Sequence, residues 1–155
     1  MSQRATPPAI GEGKRGLEGH LLYLLRQANA AVLQTVDGAL AELELSLPQY
    51  SALTMISAYS GITGAELARL SMLTPQSTHE VIRRLLARGL IARRADPGDK
   101  RLQLLTITQT GRELVKRGRT ITDPIEARLA SLTGADRAKS WLVDVAVQLN
   151  ADVSE

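Results

Sequence analysis

The stretch IARRADPGDKRLQLLTIT, residues 91–108, decides how this chain can fold. Two short strand-like runs, 91–95 and 101–107, flank a tip at residues 96–99. Aspartate, proline and glycine at the tip favour a turn, because their backbone preferences and side-chain acceptors suit one. Arginine and lysine residues stand on both sides of the tip. The stretch therefore predicts a β-hairpin with a cationic end.

The hairpin follows a helix whose two ends are marked in the sequence. Thr74 suits the N-cap position, Pro75 suits the first turn, and Gly89 suits a left-handed C-terminal cap. A shorter helix, opened by a capping box at residues 63–66, comes before it. Two such helices joined by a tight turn make a helix-turn-helix. Together with the hairpin, this order predicts a winged helix-turn-helix over residues 46–110.

Helical patterns also lie outside this region. Apolar residues recur at three-and-four spacing over 17–44, a stripe longer than a small core needs. We expect part of it to bury against a second copy of the chain, although an ordinary core-facing stripe is the alternative. A long helix should follow residue 110, kinked or divided at Pro124, with a last helix after it. Residues 1–16 predict a flexible N-terminal arm. The expected fold is mainly α with a small β-wing.

Composition narrows the classes of function. The chain has 155 residues, 44% of them hydrophobic but only 3% aromatic, and no cysteine. The lack of cysteine removes disulfides, thiolate metal sites and thiol redox sensing. No apolar run approaches the roughly 18 residues that span a bilayer, so we expect a cytoplasmic protein without a membrane partner. Two separated histidines, with no glycine-rich phosphate loop and no metal-ligand cluster, argue against an enzyme, a cofactor or a metal.

The charge of the chain is concentrated in its middle. Residues 69–119 carry twelve basic and four acidic residues, a net charge of +8, whereas the whole chain has only +3. A basic middle between acidic ends is typical of a module that binds a polyanion. A solvated basic face without a partner is the alternative. The coincidence with a winged helix favours double-stranded DNA, and a winged helix used for protein contacts is less consistent with the basic excess.

Helical geometry divides residues 74–88 into two faces. One face is apolar and should pack on the preceding helices. The first turn of the opposite face would meet base edges in the major groove, whereas its arginines suit phosphates. Solvent exposure without a role is the alternative for the arginines and for His79. The predicted DNA contacts of this helix are Thr74, Gln76, Ser77, His79, Arg83 and Arg84.

The hairpin is predicted to reach a minor groove, whose negative potential attracts arginine. Its predicted contacts are Arg94, Lys100 and Arg101. Asp99 would repel phosphate, so we expect it to orient Arg101 through a charge-assisted hydrogen bond. The alternative is that Asp99 serves only the turn.

Five segments stand in a fixed order along the chain: LPQY at 47–50, ELA at 66–68, RLLARGLI at 84–91, DPGDKR at 96–101 and TITQTG at 106–111. They resemble the MarR family of winged helix-turn-helix transcription regulators, and the D-P-x-D-x-R wing is their most specific part. The resemblance covers roughly residues 17–149. It implies a homodimer joined by its N-terminal (17–45) and C-terminal (111–155) helices. It also implies a pseudo-palindromic operator and a repressor released by a small ligand.

The resemblance extends to the dimer and the effector site. The residues expected at the dimer interface are Leu21, Leu24, Leu25, Trp141, Leu142, Val145 and Leu149. The effector is expected in a crevice between the dimer helices and the winged helix, with candidate lining residues His20, Tyr23, Arg26, Gln27, Tyr50 and Tyr59. A surface role is the alternative for the histidine, and a core or interface role for the two last tyrosines.

One residue departs from the family pattern. Glu80 stands where many members have an arginine or another residue compatible with DNA. A carboxylate there repels phosphate, although it can accept a hydrogen bond from the amino group of cytosine. This residue therefore makes the operator sequence uncertain.

Overall fold

The computed structural model describes residues 6–71 and 73–151, with the side chains of residues 150 and 151 excepted. Residues 1–5 of the predicted arm and residues 152–155 of the predicted C-terminal segment lie outside the described residues. The chain is mainly helical with one small antiparallel sheet, as the sequence predicts. It divides into two compact units, residues 1–47 and 48–155.

The first unit is built on helix α1, Leu21–Leu40, with a 3-10 turn on each side at Gly13–Arg15 and Ala41–Leu43. The helix begins at residue 21, whereas the sequence predicted a start at residue 17. Two nearby glycines disfavour a helix, and His20 at the N-cap makes no side-chain capping bond. The described part of the predicted arm also contacts α1, because Arg15 Nε donates to Gln27 Oε1 at 3.2 Å.

Five helices and three short strands follow in the described part of the chain. They are α2 (Leu47–Ala58), β1 (Ile62–Thr63), α3 (Gly64–Ser71), α4 (Pro75–Ala87), β2 (Ile91–Ala95), β3 (Gln103–Ile107), α5 (Gln109–Ala130) and α6 (Ala135–Ala151). Helix α5 runs through Pro124 without a break, so the predicted division of this helix is wrong. Proline removes a single backbone donor, and the helix continues beyond it to residue 130.

The sheet has the strand order β1-β3-β2, and both pairings are antiparallel. The register of the hairpin runs from Ile91 opposite Ile107 to Ala95 opposite Gln103. The predicted hairpin is confirmed, but its second strand begins at residue 103 and not at 101. The third strand, β1, was not predicted, since two residues are too few for a strand periodicity to show.

The core of the second unit lies where α2, α3, α4, the start of α5 and the sheet supply apolar side chains. The buried apolar residues are Tyr50, Ala52, Leu53, Ile56, Ile62, Leu67, Val81, Ile82, Leu85, Leu90, Ile91, Leu104, Leu105, Leu114 and Val115. Leu104 and Leu105 are neighbours in β3, so both faces of this central strand are covered. Within the described residues, none of the helices combines the length and the apolar character that crossing a membrane requires.

Candidate nucleic-acid interface

Helix α4 presents a polar face to solvent because its apolar face is fully used in the core. Thr78, Val81, Ile82 and Leu85 are buried, which confirms the predicted packing face. The predicted contact residues on the rest of the helix are exposed: Gln76, Ser77, His79, Arg83 and Arg84. The second helix of the helix-turn-helix is therefore open to a partner along its length.

The start of α4 is fixed by the Thr74 side chain. Thr74 Oγ1 accepts a hydrogen bond from the Ser77 backbone N–H at 3.1 Å, as the predicted cap requires. The same hydroxyl donates to Ser77 Oγ at 2.9 Å. Ser77 accepts in that bond, so its own O–H can still donate to a base edge or a phosphate. The DNA contact predicted for Thr74 and Ser77 stays a prediction.

The end of α4, the base of the wing and the start of α5 meet at Thr108. Its hydroxyl lies within hydrogen-bond distance of the carbonyl oxygens of Gly89 (2.8 Å) and Leu90 (3.0 Å). It also caps α5 by accepting from the Gly111 N–H at 3.1 Å. Gly89 has a φ of 64°, the left-handed cap that the sequence predicts. This junction fixes where the wing stands relative to α4.

Glu80 makes hydrogen bonds with two arginines of its own helix. Arg83 donates from Nε to Oε2 at 2.9 Å and from Nη2 to Oε1 at 2.8 Å, and Arg84 Nε donates to Oε1 at 2.7 Å. The Arg83 and then the Arg84 hydrogen bonds lower the pKa of Glu80 to about 2. The Glu80 charge is thus compensated within the helix. The i,i+3 and i,i+4 spacing signals this contact, but we did not predict it from the sequence.

The tip of the wing is organised by two aspartates. Asp96 Oδ1 accepts from the backbone N–H groups of Gly98 (2.7 Å) and Asp99 (2.9 Å). Asp99 Oδ1 accepts from the backbone N–H of Arg101 at 2.9 Å. Asp99 therefore contacts Arg101 through the Arg101 backbone, and the predicted orientation of the Arg101 side chain by Asp99 stays a prediction. This bond shapes the turn, which was the alternative role for Asp99.

The basic side chains of the wing are exposed. Arg94 comes from β2, and Lys100 and Arg101 lie beside the tip. Arg93 is also exposed, but successive residues of a strand point to opposite faces. Arg93 and Arg94 therefore leave the strand on opposite faces of the hairpin. The structure brings the predicted wing cations together on the hairpin, and their contact with DNA stays a prediction.

The candidate effector residues are divided between the two units of the chain. In the first unit His20, Tyr23 and Arg26 are exposed, and Gln27 is bonded to the arm. In the second unit Tyr50 is buried, and its ring lies where a side chain on Gly118 would have to go. This environment makes Tyr50 a core residue, which was the stated alternative.

Tyr59, the last effector candidate, lies apart from Tyr50, just beyond the end of α2. It is exposed and borders a shallow groove of about 410 Å³ with Ile62, Glu66 and Leu70 among its lining residues. A second groove, of about 500 Å³, lies between α3 and α4 and is bordered by His79. The predicted effector site stays a prediction.

The predicted interface residues are apolar side chains that this single chain leaves partly or largely uncovered. Leu21 is 65% exposed, and in α6 Trp141 is 39% and Leu142 50% exposed, with Leu149 more so. Leu24, Leu25 and Val145 are half-buried. Helix α6 contains no buried residue among those described.

Within residues 6–71 and 73–151, no group of His, Asp and Glu side chains could hold a metal ion.

A short helix, a turn, an exposed helix and a cationic hairpin define the class of winged helix-turn-helix proteins. A sequence model of the MarR family matches residues 45–102. The HTH-type transcriptional repressor Rv2887 of Mycobacterium tuberculosis is 39% identical over 112 residues, covering 72% of this chain and 81% of that protein. The chain therefore belongs to the MarR family, and it is a DNA-binding transcription regulator.

Solved structures agree with this assignment. The repressor CouR, bound to a 23-mer DNA duplex, superposes with a TM-score of 0.76 at 26% identity and covers 93% of this chain and 99% of that one. Rv2887 in complex with p-aminosalicylic acid has a TM-score of 0.63 at 34% identity, over 84% of this chain and 99% of that one. The expected family and fold are confirmed, and the family is one of regulators and not of enzymes.

Proposed function

We propose that this protein is a homodimeric repressor that binds a pseudo-palindromic operator. Helix α4 enters the major groove, and the wing lies at the adjacent minor groove. The main support for this binding mode is that the exposed face of α4 and the cationic hairpin belong to one unit and are joined at Thr108. A related protein is named a repressor, and another was solved on a DNA duplex.

The exposed apolar residues of α6 support a homodimer. A helix with Trp141, Leu142 and Leu149 open to water gains stability when a partner covers it, at about 25 cal/mol per Å² of apolar surface. A second copy of the same helix is a matching partner. Two-fold symmetry then presents two copies of α4, which suits half-sites about one helical turn, roughly 34 Å, apart.

We also propose that a small ligand releases the repressor from DNA. A related regulator was solved with p-aminosalicylic acid, a small aromatic carboxylate. The candidate lining residues remain His20, Tyr23, Arg26, Gln27 and Tyr59, whereas the buried Tyr50 is a packing residue. The direct check is to titrate p-aminosalicylic acid into a protein–duplex complex. Unchanged affinity at saturating ligand would contradict release by this class of compound.

The test of the proposed function starts from duplexes selected by the protein from genomic DNA. Affinity for a selected duplex should fall steeply with salt, because phosphate contacts release counterions. Arg101→Ala should weaken binding by about 1–3 kcal/mol if this residue is a groove contact. Arg128→Ala, which removes an equal charge from the last turn of α5, is the matched control.

Two results would contradict the proposal. The first is a wild-type protein that selects no duplex, which favours a winged helix used for protein contacts. The second is a salt-independent affinity. Equal effects of Arg101→Ala and Arg128→Ala would reject only the wing contact.

A further inference from the structure

Glu80 lies at the middle of the exposed face of α4. The buried residues Val81, Ile82 and Leu85 define the opposite side of the helix. At about 100° per residue, Glu80 points almost directly away from them. Its side chain is still 43% exposed despite its two arginine partners. When α4 enters a major groove, this carboxylate faces the base edges and not the flanking phosphates.

The hydrogen bonds of Glu80 also determine where the two guanidinium groups lie. Arg83 is held through Nε and Nη2, and Arg84 through Nε. Both guanidiniums are thereby drawn toward the middle of the exposed face instead of extending sideways. Guanidinium carries five N–H donors. Within the described part of the structure, Nη1 of Arg83 and both Nη groups of Arg84 remain able to donate elsewhere.

The resulting cluster of Glu80, Arg83 and Arg84 combines free donors with an acceptor. Its net charge is +1, whereas the two arginines alone would carry +2. A G·C pair presents two adjacent acceptors on guanine, N7 and O6, and one donor, the amino group of cytosine. Arginine can donate to the guanine acceptors, and a carboxylate can accept from the cytosine amino group. An A·T pair does not offer two adjacent acceptors on one base.

We propose that Glu80 is a specificity-determining residue, which holds Arg83 and Arg84 over the base edges so that the cluster selects a G·C pair in each half-site. This inference rests on the proposed function, because it assumes that α4 enters the major groove. Without Glu80 the two arginines are released toward the phosphates. Binding to any duplex then becomes tighter, and the preference for particular operators becomes weaker.

The test compares the wild-type protein with Glu80→Gln and with the matched control Glu113→Gln. The control removes the same charge from an exposed site on α5, where Glu113 accepts from Gln109 and contacts neither arginine. Each protein selects duplexes from a random library. Affinity is then measured over a range of salt for a selected duplex, for the same duplex with its preferred G·C pair changed to A·T, and for an unselected duplex. Thermal unfolding shows that each variant is folded.

Wild-type protein and Glu113→Gln should prefer the G·C duplex by about 5- to 100-fold over its A·T version. In Glu80→Gln this preference should fall toward one. The salt dependence of Glu80→Gln on the unselected duplex should steepen by about 0.9 in log K against log salt for each new phosphate contact.

Two outcomes would overturn the inference and are distinguishable. If wild-type protein binds selectively but Glu80→Gln behaves like Glu113→Gln, Glu80 is only a surface counter-charge and the proposed function stands. If the wild-type protein prefers no duplex over another, the proposed function and this inference fail together.

Discussion

At the residue scale, the start of α3 is fixed by two side chains that lie close together in sequence. Thr63 and Glu66 form the predicted capping box: the Thr63 N–H donates to Glu66 Oε2 at 2.7 Å, and the Glu66 N–H donates to Thr63 Oγ1 at 3.2 Å. Their fixed spacing is visible in the sequence. The cluster around Glu80 has an equally local spacing, with ion pairs at i,i+3 and i,i+4.

The capping box predicts a pH dependence of stability. The backbone and then the side-chain hydrogen bond from Thr63 lower the pKa of Glu66 below its ordinary value of 4.5. A carboxyl whose pKa is lowered on folding stabilises the fold above the unfolded pKa, and this contribution is lost as pH falls through the folded pKa. Glu66→Gln should therefore lose less stability than the wild type between neutral and acidic pH. Denaturant unfolding across this range measures it, and parallel curves for the two proteins would exclude the effect.

At the scale of elements, the helix start and stop signals in the sequence predicted the ends of α4 well. Features that depend on long-range packing were not predicted. Thr74, Pro75 and Gly89 placed α4 to within one residue at each end, because each acts through its own backbone. Strand β1 was missed, since it exists only through its pairing with β3. The wing tip was predicted as a turn, but its hydrogen bonds from backbone to aspartate fix the position of Arg101 in a way that spacing does not show.

The first turn of α5 depends on a close approach that only glycine permits. A Cβ on Gly111 would collide with the Leu90 carbonyl oxygen and lie 2.8 Å from Ile107 Cγ1. The collision is with backbone, so Gly111→Ala should destabilise the protein by about 1–3 kcal/mol. Gly38→Ala in α1 is the control, because nothing lies within 4 Å of its added Cβ. Helix propensity predicts that this control stabilises by about 0.5–1 kcal/mol.

Chemical denaturation of both glycine variants measures the two free energies of unfolding. An equal gain in stability from both substitutions would show that α5 can move away from Leu90 without cost.

At the scale of the whole molecule, the sequence predicted apolar helix faces, and the second copy of the chain expected to cover them stays a prediction. Periodicity marks Leu21 and Trp141 as apolar positions of helices, and the structure leaves both substantially exposed. Whether an apolar side chain packs in its own chain or in a second copy depends on contacts far apart in sequence. The same reason limits the effector site, whose candidates are spread over the two units of the chain.

The proposed dimer predicts that a new glutamate has different effects at two sites of α6. Leu142→Glu places a charge on the apolar stripe and should shift the protein toward monomer, since burying an unpaired carboxylate is unfavourable. Ser140→Glu places the same charge on the exposed, nearly opposite side of the helix and should leave the dimer intact. Sedimentation at micromolar concentration measures both. A monomeric wild-type protein, or two variants that sediment alike, would contradict this interface.

The junction at Thr108 has a consequence for how such a regulator could switch. One hydroxyl group links Gly89 just beyond the end of α4, Leu90 at the base of the hairpin and the first turn of α5. A movement of α5 would therefore be transmitted to the hairpin and to the end of α4 through these hydrogen bonds. In the proposed dimer, an effector that tilts α5 would move each winged helix as a single body. Release from DNA would then come from a changed spacing between the two winged helices, and not from a distortion inside either one.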